Sequence, residues 1–253
     1  MSPAEFAFLV AAGIVGGLTG SIAGLASLAT YPALLAVGLP PVTANVTNTV
    51  ALVFTGVGSV LGSRPELKGQ GPRLKALAPV AVVGGAVGAA LLLSTPAGGF
   101  EKLVPVLLGV ASLTILLPRR RTVASGDEPP RSRRQLLAQG GAIFLIAIYA
   151  GYFGAAAGVL MLALLLRTMR STLPRANAAK NVILGIANAV AALAFVFLAP
   201  VQWSAAIPLG IGCLIGSRIG PSVVRWAPAV LLRVLIGAAG LALAVRLGIQ
   251  AYG

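Results

Sequence analysis

Long apolar runs separated by short polar breaks organise the whole chain. The runs are Phe6 to Val37, Ala44 to Ser63, Ala76 to Leu93, Leu103 to Leu117, Leu136 to Leu166, Ala176 to Leu198, Ser204 to Ser217 and Ala229 to Val245. No charged residue occurs between Glu5 and Arg64, whereas a helix needs only ~20 apolar residues to cross a bilayer. The breaks fall at Gly38-Leu39-Pro40-Pro41, at a polar loop over 64–75, at a small-residue loop over 94–99, at Pro118 and at a hydrophilic stretch over 119–135. Lipid offers no hydrogen bonds, so each run must satisfy its own backbone as a helix. The pattern predicts an all-α polytopic membrane protein.

The runs repeat. Gly20 and Gly24 match Gly154 and Gly158, with the same spacing in both halves. Leu39-Pro40 followed by Ala44-Asn45 matches Leu173-Pro174 followed by Ala176-Asn177, and Gly84, Gly88 and Gly109 match Gly212, Gly216 and Gly237 at one constant offset. An internal duplication follows: a first membrane repeat over 1–118, a flexible cytoplasmic linker over 119–135 and a second membrane repeat over 136–253. The N-terminal Met1-Ser2-Pro3-Ala4-Glu5 lacks the basic start of a cleaved signal peptide, so the first run is expected to be retained.

Charge then orients the segments. The loop at 64–75 carries +3, the linker +4, the loop at 167–180 +4 and the stretch at 218–233 +3, while 38–43 and 199–203 carry none. Basic loops mark the cytoplasmic side, and on that rule every run alternates except 136–166, whose two flanks are both basic. Its length agrees: 31 residues make roughly 46 Å of helix, too long for one crossing and too short for two of ~30 Å. Two arms meeting inside the membrane near Gly151, Gly154 and Gly158 satisfy both constraints. The first run should do the same near Gly16, Gly17, Gly20 and Gly24. Each half then has a Gly-broken first segment, re-entrant or kinked, plus three transmembrane helices. That odd number of crossings makes the repeats inverted. The rival is eight simple crossings and a parallel repeat, which leaves one pair of basic loops outside.

Composition narrows the function. The chain is 58% hydrophobic and 9% charged, with a mean hydropathy of +0.97, outside the soluble globular range. A net charge of +14 would suit a polyanion, but the positive-inside pattern accounts for it, and no nucleic-acid partner is expected. There is no histidine, and Cys213 is the one cysteine. That leaves no ligand set for structural zinc and no His-based catalytic site, so no cofactor and no enzyme activity are expected. No Asp or Glu lies inside a crossing, so a carboxylate relay for protons or sodium has no carrier.

The polar residues inside the runs are the candidate site. Asn177, Asn181 and Asn188 share one helical face, and Asn45, Asn48 and Thr49 cluster likewise in the first half, with Thr55 further along. Amides at the positive end of a helix suit an oxyanion, although Asn and Thr also cap membrane helices or join them. Lys180, the one cation of the motif, is placed either to meet substrate or to snorkel to the headgroups. At the elbows, Gly20, Ser21 and Gly154, with Thr19 nearby, expose backbone groups where irregular chain is tolerated only if buried or lining a cavity.

Gly16-Gly17-Leu18-Thr19-Gly20, the turn at Gly38-Leu39-Pro40 and Ala44-Asn45 resemble the first half of the TauE/SafE sulfite exporter family. Gly151-Tyr152-Phe153-Gly154 through Gly158 and Ala176-Asn177-Ala178-Ala179-Lys180-Asn181 resemble its second-half motifs more closely. The resemblance runs over nearly the whole chain. It implies a multi-pass inner-membrane permease exporting sulfite or an organosulfonate. The chain departs from the family at Val46-Thr47-Asn48-Thr49, at the alanines Ala155 to Ala157, and at Gln202-Trp203, where the family often has Asp-Trp.

The expected function is therefore export of a small anion around a midplane site between the repeats, formed by Asn45, Asn48, Thr49, Asn177, Lys180, Asn181, Gly20, Ser21 and Gly154. The expected partners are that anion and the lipid bilayer, with homo-oligomerisation left open. The alternatives are a channel or carrier for another small solute and a non-transporting accessory subunit.

Overall fold

The computed structural model describes residues 1–116, 133–169, 171–224, 238, 241–242, 244–249 and 251–252. The expected linker and the run at 229–245 lie largely outside these. The described residues contain no strand. The helices are α1 (Pro3–Ala23), α2 (Ala26–Ala36), α3 (Pro41–Gly62), the short α4 (Arg64–Leu67), α5 (Gly71–Ser94), α6 (Ala97–Leu116), α7 (Arg133–Tyr152), α8 (Ala157–Thr168), α9 (Leu173–Leu198) and α10 (Trp203–Val224). Six of them, α1, α3, α5, α7, α9 and α10, are long and apolar enough to cross a membrane.

Prolines set several starts. Pro3, Pro41, Pro72 and Pro174 stand in the first turns of α1, α3, α5 and α9, where the missing N–H costs nothing. Ser2 and Glu5 close a capping box on α1, with Ser2 N donating to Glu5 Oε2 at 2.7 Å.

Both expected elbows are present. α1 ends at Gly24, whose φ of 77° is left-handed, a conformation glycine adopts at little cost. α7 ends before Gly154, at φ 73°, and α8 follows Ala156, the one described non-glycine residue with positive φ, at 58°. The arms are unequal. α1 has 21 residues and α2 has 11, about 31 and 16 Å, so each break lies nearer the end of its run than the middle. α2 folds back on α1: a Cβ on Gly20 would meet Ala26 and one on Gly16 would meet Thr30. α8 returns along α7 far enough for Gln139 Nε2 to donate to Thr168 Oγ1 at 3.1 Å.

Contacts give the directions of the long helices. Gly13, Gly17 and Ser21 of α1 lie against Leu209, Cys213 and Gly220 of α10, and Phe54, Gly58 and Gly62 of α3 against Gly210, Ser217 and Arg218. α1, α3 and α10 therefore run parallel. In the same way Gly84 and Gly88 of α5 lie against Ala147 and Gly151 of α7, and Gly85 against Ala187 of α9, with Gln70 and Arg175 joined where the latter pair begins. α5, α7 and α9 form a second parallel trio. The two trios oppose each other. Gln202 N donates to Thr47 Oγ1 at one end, Gly56 meets Gly185 in the middle, and Arg175 Nη2 donates to Lys68 O at the other end, so α3 and α9 are antiparallel.

The distribution of polarity is that of a membrane protein. Lys180 is 1% exposed and Asn45, Asn48, Asn177 and Ser59 are equally buried, whereas Phe197 is 76% exposed and Leu145, Leu193 and Leu198 also face outward. Large exposed apolar side chains outside a core that buries Lys180 and several amides are what lipid surroundings stabilise.

Because residues 64–75 and 167–175 interlock through Gln70, Arg73 and Arg175, single cysteines at Lys68 and Thr172, with Cys213 replaced by alanine, should label from the same side. A cysteine at Pro200 should label from the other. Opposite sides for Lys68 and Thr172 would contradict the packing.

Candidate functional site

A broken helix leaves its last four carbonyls without intrahelical donors, and burying one unpaired costs ~1–3 kcal/mol. At the end of α1, Gly20 O accepts the Gly24 N–H at 2.8 Å and the Lys180 ammonium at 3.0 Å. Ser21 O accepts Asn177 Nδ2 at 2.7 Å and Asn181 Nδ2 at 3.4 Å, with Lys180 Nζ also at 3.4 Å. At the end of α7, Tyr152 O accepts Asn45 Nδ2 at 2.8 Å. Asn45 and Asn177 hold matching positions after Ala44 and Ala176. Each serves the broken helix of the other half.

The next matching pair differs. Asn48 and Lys180 are equivalent in that alignment, yet Asn48 holds α2 rather than the opposite break. Its Nδ2 donates to Ser27 Oγ at 3.2 Å, and its Oδ1 accepts from Thr30 Oγ1. The Lys180 ammonium is buried at the end of α1, so the snorkelling alternative is not the one the chain adopts.

Between the two breaks lies a cavity. Its walls are the end of α1 and start of α2 (Gly20, Gly24, Ala26, Ser27), one face of α3 (Thr49, Thr55, Gly56, Ser59), the α7–α8 turn (Phe153, Gly154, Ala157, Gly158) and one face of α9 (Lys180, Asn181, Gly185, Asn188). Gly24 and Gly158 touch across it: a Cβ on either would stand 2.3 Å from the Cα of the other.

Two features bring positive charge to the cavity. The first turns of α2 and α8 form part of its wall, and neither helix has a side-chain cap, so the positive ends of both face it. Lys180 adds an ammonium, and among the described lining residues there is no Asp or Glu. The arrangement suits an anion.

Of the residues expected from sequence, Gly20, Thr49, Gly154, Lys180 and Asn181 line the cavity. Asn45, Asn48, Ser21 and Asn177 stand behind the wall as the frame that ties helices together. Ser59, Thr55 and Asn188 line it and were outside the expected set. The signal was present: Thr55 and Ser59 are four apart on α3, and Asn188 shares the face of Asn177 and Asn181. The start of α8 carries no polar side chain and that of α2 only Ser27, and the fold brings both to the cavity.

An apolar exterior, a polar interior and an anion-suited cavity at paired helix breaks define a multi-pass membrane protein built to handle a small solute. The chain matches the Sulfite exporter TauE/SafE family over residues 7–247 and belongs to it; it is a membrane transporter of that family. It is 26% identical to a probable membrane transporter protein of Haemophilus influenzae, over 91% of this chain and 89% of the relative. It is 28% identical to the probable membrane transporter protein ORF9 of a Sinorhizobium species, over 95% and 91%. It is 24% identical to the probable membrane transporter protein YfcA of Escherichia coli K12, over 100% and 93%. No solved structure matches the chain.

Two stability predictions follow from this geometry. Asn45→Ala should lower stability by about 1–3 kcal/mol, since it leaves the buried Tyr152 carbonyl unpaired, and Asn177→Ala should lower it less, since Ser21 O keeps the longer bonds from Lys180 and Asn181; thermal unfolding in detergent reads this. Gly24→Ala should cost more, through the clash with Gly158 and the positive φ. Gly98→Ala, with nothing within 4 Å of the new methyl, should leave the melting temperature unchanged.

Proposed function

We propose that this transporter exports a small oxyanion, sulfite or an organosulfonate, across the cytoplasmic membrane by alternating access around the cavity between the helix breaks. The carrying observation is the convergence of Lys180 and the uncapped starts of α2 and α8 on a cavity with no carboxylate among its described lining residues. Broken helices aiming their positive ends at an anionic group are a recurrent device of secondary transporters.

Alternating access requires two bodies that can rock, and the fold supports that reading. α1, α3 and α10 take the places that α7, α9 and α5 take in the opposed trio. The bonds Asn45 to Tyr152 O and Asn177 to Ser21 O relate the trios in the same sense. This supports two inverted repeats, over 1–118 and 136–253, each lending one helix, α5 or α10, to the trio of the other. The inside-negative potential favours exit of an anion by about 2.3 kcal/mol per charge per 100 mV, so export needs no carboxylate relay.

The test is flux from proteoliposomes loaded with sulfite or methanesulfonate. Saturable efflux, faster with the inside negative, is expected, and Lys180→Met should lower kcat/KM at least tenfold. Asn181→Ala, which removes a smaller polar group, should lower it several-fold while the protein remains folded. Absence of saturable anion flux, or flux indifferent to both substitutions, would overturn the proposal.

A further inference from the structure

A buried hydroxyl without a partner is costly unless something supplies one, and Ser59 is such a group. It is 1% exposed, lines the cavity, and its Oγ has no hydrogen-bond partner among the described residues. Thr55, one turn earlier on the same face, also lines the cavity, but its hydroxyl has the Cys213 thiol as a hydrogen-bond partner. Across the cavity the Asn188 side chain makes no hydrogen bond within the described residues, whereas the amide nitrogens of Asn45, Asn48, Asn177 and Asn181 all donate. Helix register places these groups. α3 and α9 run antiparallel and cross where Gly56 meets Gly185. Ser59 therefore lies one turn to the side of the crossing that holds Asn181, and Asn188 lies one turn to the other side. Gly56 and Gly185, having no side chains, let the two helices cross closely, and both line the cavity at that point.

We infer that Ser59 and Asn188 bind the transported anion directly, from opposite walls and from opposite sides of the helix crossing. The ligand class is an oxyanion with at least two oxygens, one taking the Ser59 O–H on the Lys180 side and another the Asn188 amide. A hydroxyl and an amide donate in fixed directions, so they select a ligand whose oxygens diverge, whereas Lys180 attracts any negative charge. The assignment rests on the anion reading above and adds to it the residues that set selectivity.

A role in the frame and a role in binding predict opposite effects on the empty protein. Removing a framing hydroxyl lowers the melting temperature. Removing a buried hydroxyl that has no protein partner leaves it unchanged or raises it. The experiment is thermal unfolding of the purified full chain with and without sodium sulfite, sodium methanesulfonate or, at matched ionic strength, sodium chloride. In wild type the two oxyanions should raise the melting temperature and chloride should do so less. Ser59→Ala and Asn188→Ala should leave the ligand-free melting temperature within a degree or so of wild type or above it. Each should raise the apparent Kd for the oxyanions on the order of tenfold and change the response to chloride little. A fall in the ligand-free melting temperature of Ser59→Ala, or oxyanion affinity unchanged in both variants, would overturn the assignment while the anion reading stood. A wild-type protein that responds to neither oxyanion would overturn both.

Discussion

Asn177 Nδ2 meets the Ser21 carbonyl at 2.7 Å and Asn45 Nδ2 meets the Tyr152 carbonyl at 2.8 Å. These two bonds answer the hardest requirement of the fold. A helix broken inside an apolar medium exposes carbonyls at one end and amides at the other, and lipid satisfies neither. The chain meets the carbonyl ends with amides from the opposite half and leaves the amide ends, at α2 and α8, facing the cavity. Both consequences have the same origin. The breaks can exist because the carbonyls are paired, and because they exist, two positive helix ends are available to a ligand. The bonds also cross between the halves, so the units that create the cavity are the ones tied together around it.

Glycine makes those distances reachable. Hydrophobic burial does not drive helices together in lipid, so close van der Waals contact and hydrogen bonds must do it. Gly13, Gly17, Gly212 and Gly216 let α1 and α10 touch backbone to backbone, and Gly84, Gly85, Gly88 and Gly151 do the same for α5 with α7 and α9. Within each trio the fit leaves no room for a single Cβ at these positions, which makes each trio a firm body. Between the trios the contact at Gly56 and Gly185 is looser, at 3.2 to 3.5 Å for an added Cβ, and it adjoins the cavity. The packing between the trios is thus uneven: backbones touch where Gly24 meets Gly158, at 2.3 Å for an added Cβ, and stand further apart where α3 crosses α9.

Much of this was legible in the chain because membrane segments report their environment directly. The apolar runs give the helices, the basic loops group one set of ends, and the mismatch between 136–166 and the charge pattern points to a segment that turns back. The paired Ala-Asn motifs mark both polar helix starts. What periodicity could not assign was which polar residue faces a ligand and which faces a backbone carbonyl. Asn177 and Asn181 share a helical face, yet Asn181 reaches the cavity and Asn177 stands behind it. Their difference depends on where α1 ends, which is a long-range fact. Ser59 shows the same limit. A serine in a Gly-rich membrane helix looks like a packing residue until the fold shows that its buried hydroxyl has no hydrogen-bond partner.

The two Asn-bearing helix starts are alike in frame and differ in charge, and the difference lies at one position. Asn48 and Lys180 occupy equivalent positions. The neutral side chain bonds within its own half, to Ser27 and Thr30 of α2, whereas the charged one crosses to the other half and the end of α1. A buried ammonium carries a large desolvation cost, which the carbonyl dipoles of Gly20 and Ser21 offset in part. Negative charge entering the cavity offsets more of it. On the proposed reading, an arriving anion therefore competes with the α1 carbonyls for the same ammonium. The competition occurs only at the side where Lys180 stands, because Asn48 carries no charge for an anion to draw away. Two halves related by symmetry would respond alike to the ligand; replacing one amide by one amine makes the contact between α9 and α1 the one that occupancy loosens.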